Sequence, residues 1–291
     1  MNHTEDIKRG EKGAIISIFA YLFLALMKLF IGYMGHSDAL RADGLNNSTD
    51  VVASIAILVG LKISRKPPDK EHRYGHYRAE TVASLFAAFI MIAVGIQVII
   101  DTIQKIFSHQ TQQPSMLTAW TAIGAAAIMF IVYFFNLSLA KKINSSAIHA
   151  AAQDNKSDAL VSIGAFIGII GAQFGLYWLD PLAGLIVGVI ICHTAWQIFA
   201  DSTRTLTDGF DENKLERIRE SVTDVKQVKE VKDIKGRILG NQAFVDITIL
   251  VDPTLNVTES HAITENIEGL LEEKHHISYA QIHIEPYYEE T

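Results

Sequence analysis

Two stretches decide the fold: residues 39–63, ALRADGLNNSTDVVASIAILVGLKI, and residues 148–176, IHAAAQDNKSDALVSIGAFIGIIGAQFGL. Each has the length of a membrane-spanning helix, about 20 residues at 1.5 Å per residue. Each is also interrupted by acids and amides at regular spacing. Asn46 and Asp50 stand four residues apart, as do Asp154 and Asp158, so within each helix the pair shares one face. A charge in hydrocarbon costs several kcal/mol, so ionisable residues there turn toward an interior cavity and mark an ion or proton path. Three carboxylates and one amide on two helices can form a four-ligand cage of oxygens. The alternative is that these residues only hold helices together by hydrogen bonds. Asn47, Ser48 and Thr49 suit that role. Asp suits it poorly, because an ionised carboxylate has no donor to offer. Lys156 lies between Asp154 and Asp158 in sequence but on another helix face, and it is expected to snorkel rather than neutralise the pair.

Working outward, four further apolar runs cover residues 13–34, 80–106, 116–140 and 181–200, giving six expected spans. The run at 13–34 is too long for a signal-peptide core and lacks a small-residue cleavage site, so it reads as a retained span. Lys and Arg cluster before the first span (Lys8, Arg9, Lys12), between the second and third (Lys62, Arg65, Lys66, Lys70, Arg73, Arg78) and between the fourth and fifth (Lys141, Lys142). The other connections are nearly free of them. The positive-inside rule then places both termini in the cytoplasm, as an even number of spans requires. The expected location is the cell membrane, multi-pass, with the lipid bilayer as a partner.

The whole-chain averages hide this division. Of 291 residues, 49% are hydrophobic, and the formal net charge is −7, with a mean hydropathy of +0.21. There is no basic tail, which argues against nucleic acid as a partner. The single cysteine, Cys192, allows no disulfide within the chain and no thiolate cluster, and it reads as helix packing. No phosphate-binding loop is present, which argues against direct ATP drive.

After Asp201 the pattern changes. Residues 211–225 read as an amphipathic helix. Residues 228–235 and 243–251 alternate as strands, with Gly236 and Gly240 expected in the turn between them. Residues 257–274 read as a second helix and 279–285 as a third strand. The order α-β-β-α-β predicts a small α+β domain with its helices on one face of the sheet. The expected division is a transmembrane domain over 1–208 and a cytoplasmic domain over 209–291.

The ligand chemistry bears on the ion. An oxygen-only cage suits hard ions such as Mn²⁺ and Mg²⁺, whereas imidazole and thiolate favour Zn²⁺ and copper. Asn46, Asp50, Asp154 and Asp158 include neither, so Mn²⁺ is expected first, with Fe²⁺ and Zn²⁺ behind. A rival reading of intramembrane acids is an aspartyl protease. Such enzymes carry one Asp on each of two helices and a GxGD signature, which is absent here.

Several segments together resemble the cation diffusion facilitator family: Ala42-Asp43-Gly44 leading into Asn46 and Asp50, the Asp154/Asp158 pair, the loop from His72 to Glu80, and Leu206-Thr207-Asp208 opening the tail. The resemblance covers nearly the whole length. It implies a homodimeric, proton-coupled antiporter with alternating access and no prosthetic group, which exports a divalent metal through Asn46, Asp50, Asp154 and Asp158. The Asn-Asp/Asp-Asp set is similar to that of the manganese-exporting branch. The resemblance also implies a ferredoxin-like or metallochaperone-like cytoplasmic domain serving dimerisation and metal sensing. Three auxiliary features follow from it. Asp69, His72 and His76 match a second metal site in the loop between the second and third spans, although an Asp and two His in a polar loop can equally be solvated. Arg78 and Asp208 match a charge pair that ties the membrane and soluble parts together. His261, His283 and Glu285 match ligands of a cytoplasmic site, but Lys232 and Thr248 stand where zinc-binding members often have His. His275-His276 reads as a solvated helix end.

Overall fold

The computed structural model describes residues 3–64, 66–107, 113–143, 146–239, 242–277 and 279–288, with side chains described from Ile15 onward apart from 57–58, 61 and 142–151. Lys8, Arg9, Lys12, Arg65, Lys142 and Gly240, used in the sequence reading, lie outside what is described in whole or in their side chains. Six long helices come first: α1 (His3–Met34), α2 (Asp38–Ser64), α3 (Arg78–Phe107), α4 (Met116–Ile143), α5 (Ser146–Gln173) and α6 (Leu179–Leu206). They match the six expected spans. Helix α1 begins about three turns before the apolar run does, over a Glu- and Lys-rich segment of high helix propensity. Among the described residues, four of the six, α1, α3, α4 and α6, are long and apolar enough to cross a membrane by composition alone. Helices α2 and α5 are the two that carry acids away from their ends: Asp43 and Asp50 lie in one, Asp154 and Asp158 in the other.

The chain divides into two compact units, residues 1–58 with 86–198, and residues 59–85 with 199–291. In the first, α2 is the central helix. Its Ala39 and Leu40 join Ala119 and Ala122 of α4 and Ala165 and Ile169 of α5. Its Ala42 joins Val98 of α3 and Val187 and Ile191 of α6. Alanine dominates these contacts because association in lipid gains from close van der Waals approach rather than from water release. The same reasoning accounts for Cys192, whose Sγ would lie 2.6 Å from a Cβ placed on Gly95 of α3. Large apolar side chains such as Phe19, Phe23, Phe86, Phe89 and Trp120 point outward, as suits a lipid-facing surface.

In the second unit, α7 (Glu212–Thr223), β1 (Glu230–Leu239), β2 (Gln242–Val251), α8 (Val257–His275) and β3 (Tyr279–Pro286) follow in the α-β-β-α-β order. Strand β2 is central, antiparallel to β1 and parallel to β3. The parallel pair requires a crossover, which α8 supplies. Val245, Ile247, Ile249 and Val251 present every second side chain of β2 to Ile218 and Val222 of α7 and to Ile263, Ile267 and Leu271 of α8. Both helices therefore cover one face. Asp211 caps α7 by accepting from the Lys214 N–H, and Asn256 with Glu259 forms a capping box at the start of α8, satisfying N–H groups that helix starts leave open.

One expectation is corrected. Gly236 is not in the turn. It lies within β1, paired with Val245, and β1 runs to Leu239. The Phe210 ring lies over it, 2.8 Å from where a Cβ would sit. The glycine makes room for the aromatic ring rather than for a chain reversal. Gly236→Val should therefore destabilise this unit by about 1–3 kcal/mol through overpacking. Thermal unfolding of the purified chain, followed by proteolysis of residues 209–291, would check this, and Phe210→Ala should recover part of the loss.

Candidate metal site

The site is built where α2 and α5 face each other. Asn46 Nδ2 donates to Asp158 Oδ1 at 3.0 Å, joining the two helices, and reaches Asp50 Oδ2 on its own helix at 3.5 Å. Asn46 and Asp158 are both buried, and Asp50 is half-buried. The i, i+4 spacing thus brings three of the four oxygen-bearing side chains together. Asp154, one turn before Asp158, is exposed, and it makes no hydrogen bond to the other three. Lys156 is exposed as well.

Around this trio lie two buried polar clusters that the sequence reading passed over. In one, Asn155 Nδ2 donates to Tyr21 Oη at 2.8 Å, and Asn136 Nδ2 donates to Asn155 Oδ1 at 2.8 Å and to Ser17 Oγ at 2.9 Å. This cluster links α1, α4 and α5. In the other, the fully buried Lys28 of α1 pairs with Asp43 of α2 at 2.9 Å. The signal for it was available: a lone lysine in the apolar run 13–34 is as much a marked residue as an aspartate there.

The loop between α2 and α3 carries a second constellation. Asp69, His72 and His76 offer ligand atoms that all lie within 4.8 Å of one another. Asp69 Oδ1 accepts from the backbone N–H of Glu71 at 2.9 Å and of His72 at 2.7 Å, while Oδ2 lies 3.4 Å from His76 Nε2. These donors, the His72 N–H foremost, hold the Asp69 carboxyl below the usual carboxylate range. The two imidazole rings stand 4.3 Å apart. Gly75, at φ +82°, makes the turn that returns His76 toward Asp69. One carboxylate and two imidazoles at this separation suit a borderline divalent ion.

Arg78 Nη2 donates to Asp208 Oδ1 at 2.5 Å, within the unit to which both belong. Asp208 adopts a left-handed backbone, φ 60°, just after α6 ends.

The residues of the cytoplasmic site are not brought together. His261 lies 3.5 Å from Glu265 of its own helix, His283 lies 3.8 Å from Glu285, and Glu285 is held by Lys232 at 2.5 Å. An ammonium bound to that carboxylate competes with any metal. His275-His276 does end α8, and of the two only His276 is exposed. His275 is half-buried and shares a 2.9 Å hydrogen bond with Ser221. Burial first, then Lys214, Lys274 and Arg217, lowers its imidazole below the usual value. His276 ends α8 in a left-handed C-cap.

Comparison with known proteins finds matches over both parts of the chain. Residues 14–207 match the family described as the cation efflux transmembrane domain, and residues 210–287 match the cation efflux protein, cytoplasmic domain. The chain is 51% identical over 286 residues to the manganese efflux system protein MneS of Bacillus subtilis, covering 98% of this chain and 99% of that one. It is 32% identical over 295 residues to the manganese efflux system protein MneP of the same organism, covering 98% of each. Among solved structures, a copper form of the MamM C-terminal domain is similar at 26% identity, covering 26% of this chain and 76% of that one, with a TM-score of 0.25.

If the loop holds a metal, its affinity should depend on Asp69 both as a ligand and as the acceptor that shapes the turn. In an Asp158→Ala background, where the intramembrane site is disabled, Asp69→Ala should weaken the remaining Zn²⁺ or Mn²⁺ binding about 10–100-fold. Calorimetric titration would measure it, and an unchanged isotherm would mean that the loop residues are only solvated.

Proposed function

The chain belongs to the cation efflux family, and from that premise we propose that it exports a divalent metal ion, Mn²⁺ before Zn²⁺ or Fe²⁺, in exchange for protons. It is a metal-efflux transporter embedded in the membrane, not an enzyme. The aspartyl-protease reading of its acids is thereby set aside.

The ion is bound by Asn46, Asp50, Asp154 and Asp158. The observation that carries this reading is the 3.0 Å contact between the Asn46 amide of α2 and the Asp158 carboxylate of α5, which brings the two ligand-bearing side chains together inside the helical unit. Asp50 adds a third ligand from the next turn of α2. The exposed Asp154 is the ligand that an ion from the α4–α5 loop side meets first. The ion arrives from the cytoplasm, both termini lie there, and the pathway opens alternately to either face. Two 98%-covered relatives named as manganese efflux proteins, together with the absence of His and Cys from the four positions, support Mn²⁺.

Proton coupling follows from the ligand type. A carboxylate binds a cation only when deprotonated, so a metal entering the site displaces any proton held there, and protons arriving from the other face displace the metal. The proton gradient thus drives export with no nucleotide. The protein acts as a homodimer, with residues 1–208 forming the transport domain and residues 209–291 serving dimerisation and metal sensing. Arg78 and Asp208 form a structural charge pair, Asp69, His72 and His76 form an accessory loop site, and His261, His283 and Glu285 bind metal only if Lys232 releases Glu285.

In proteoliposomes loaded with a metal-sensitive dye, Asp50→Ala or Asp158→Ala should reduce Mn²⁺ flux to background in a folded protein. Parent flux in either would remove the site from Asn46 and its neighbours. Asn46→His should shift the Zn²⁺/Mn²⁺ competition ratio toward Zn²⁺ by about tenfold, or about 1.4 kcal/mol. Titration of Mn²⁺ in weak buffer should release protons from the parent and fewer from Asp154→Asn. Release of none by the parent would rule out antiport through these carboxylates.

A further inference from the structure

Lys28 lies within the apolar span Ile15–Met34 of α1 and is fully buried. Its ammonium donates to Asp43 Oδ1 at 2.9 Å, to Asn47 Oδ1 at 2.6 Å and to Ser162 Oγ at 2.9 Å, so its three protons have three acceptors. Asp43 and Asn47 are on α2, and Ser162 is on α5. The Ser162 hydroxyl donates onward to the Asp158 carbonyl oxygen at 3.0 Å, and Asn47 directly follows Asn46 in the chain. One side chain of α1 therefore grips both helices that carry the candidate ligands. Asp43 precedes Asn46 on α2 and Ser162 follows Asp158 on α5, so the grip lies on the side of the site that faces the α1–α2 and α5–α6 loops.

Stability alone does not account for this arrangement. A buried ion pair costs about as much in desolvation as it returns in attraction, and an apolar pair of similar volume often does as well. Asp43 Oδ2 has no hydrogen-bond partner among the described residues, so even the pair's own hydrogen bonding is incomplete. The cluster does have a definite geometric consequence. The separation of α2 and α5 at Asn47 and Ser162 is fixed by the reach of one ammonium, and this fixes the approach of Asn46 to Asp158 less than a turn to one turn away.

We propose that Lys28 is a positioning residue of the ion site, setting the spacing of α2 and α5 at which Asn46, Asp50 and Asp158 share one ion. It touches no ligand atom and binds no metal itself. This rests on the reading of those residues as the ion site. It adds a residue from α1 that determines how tightly that site holds its ion.

The test uses the full-length protein in proteoliposomes with Mn²⁺ as the probe. Lys28→Met alone leaves Asp43 buried without a counter-charge, so it confounds positioning with folding. The double variant Lys28→Met/Asp43→Asn removes both charges together. It should fold and give a maximal rate close to the parent's, with a Mn²⁺ KM raised about tenfold or more, equivalent to about 1.4 kcal/mol. Ser162→Ala keeps the ion pair and cuts only the arm to α5. It should raise KM by about threefold, or about 0.7 kcal/mol, without lowering the unfolding temperature, and it decides the matter if the double variant does not fold. Parent KM in the folded double variant, or in Ser162→Ala, would overturn the proposal and leave the cluster a packing device. Asp158→Ala, run beside them, separates the two claims. If it is inactive while the Lys28 variants behave as the parent, only the role of Lys28 falls. If it transports normally, the ion-site reading falls and takes the Lys28 proposal with it.

Discussion

A charge can stay inside a membrane-spanning helix only if something within hydrogen-bonding reach compensates it. That constraint organises the helical unit. Helix α2 is among the most polar of the six, with Asp43, Asn46, Asn47 and Thr49 all buried, and it is also the one that neighbours surround. Lys28 answers Asp43, Asp158 answers Asn46, and the Thr49 hydroxyl returns to the Asn46 carbonyl at 2.7 Å. Each answer comes from a fixed position on another helix or turn. The rotation and axial register of α1, α2 and α5 are thereby set by a few short polar contacts rather than by apolar contact alone.

Those contacts demand close approach, and the apolar sequence supplies it. Ala39, Ala119, Ala122 and Ala165 lie where α2, α4 and α5 meet, and the absence of bulk there brings side chains as short as Asn and Ser across the gap. Many of the large aromatic residues point to the outside. Phe19 and Phe86, each 67% exposed, would be wasted on a water-facing surface but suit hydrocarbon. The bundle therefore differs from a soluble protein in holding alanines and polar side chains beside a few Leu, Ile and Met inside, with many large aromatic ones outside.

Much of this was legible in the sequence, for reasons that show where legibility ends. The i, i+4 repeats of α2 and α5 are local, so a helix alone places Asn46 beside Asp50 and Asp154 beside Asp158. Period-2 alternation likewise located β2 and its buried face. What could not be read locally was partner choice. Lys28 looks the same in sequence whether it snorkels to an interface or is buried, and only the position of α2 and α5 decides between these. Glu285 alternates with His283 as a ligand pair would, yet Lys232, 53 residues earlier, holds it. Gly236 reads as a turn former until Phe210, from outside the strand, is seen to need its space. In each case the deciding neighbour is distant in sequence.

The proposed ion site also shows why an amide among carboxylates is useful to a transporter. In the structure the Asn46 amide donates to Asp158. A bound cation would require the amide to present its oxygen instead, so ion and hydrogen bond are alternatives. The exchange costs one hydrogen bond, about 0.5–1.5 kcal/mol and up to about 3 with an ionised partner. That is enough to keep Asp158 satisfied between ions and small enough not to prevent the next ion from binding. A fourth carboxylate would bind the cation more strongly but would face three like charges when the ion had gone. A histidine would hold late transition metals longer, since imidazole favours them. An amide at position 46 lowers both the charge that must be compensated in the empty site and the depth of the well from which the ion must escape. A pathway that has to release what it binds benefits from both.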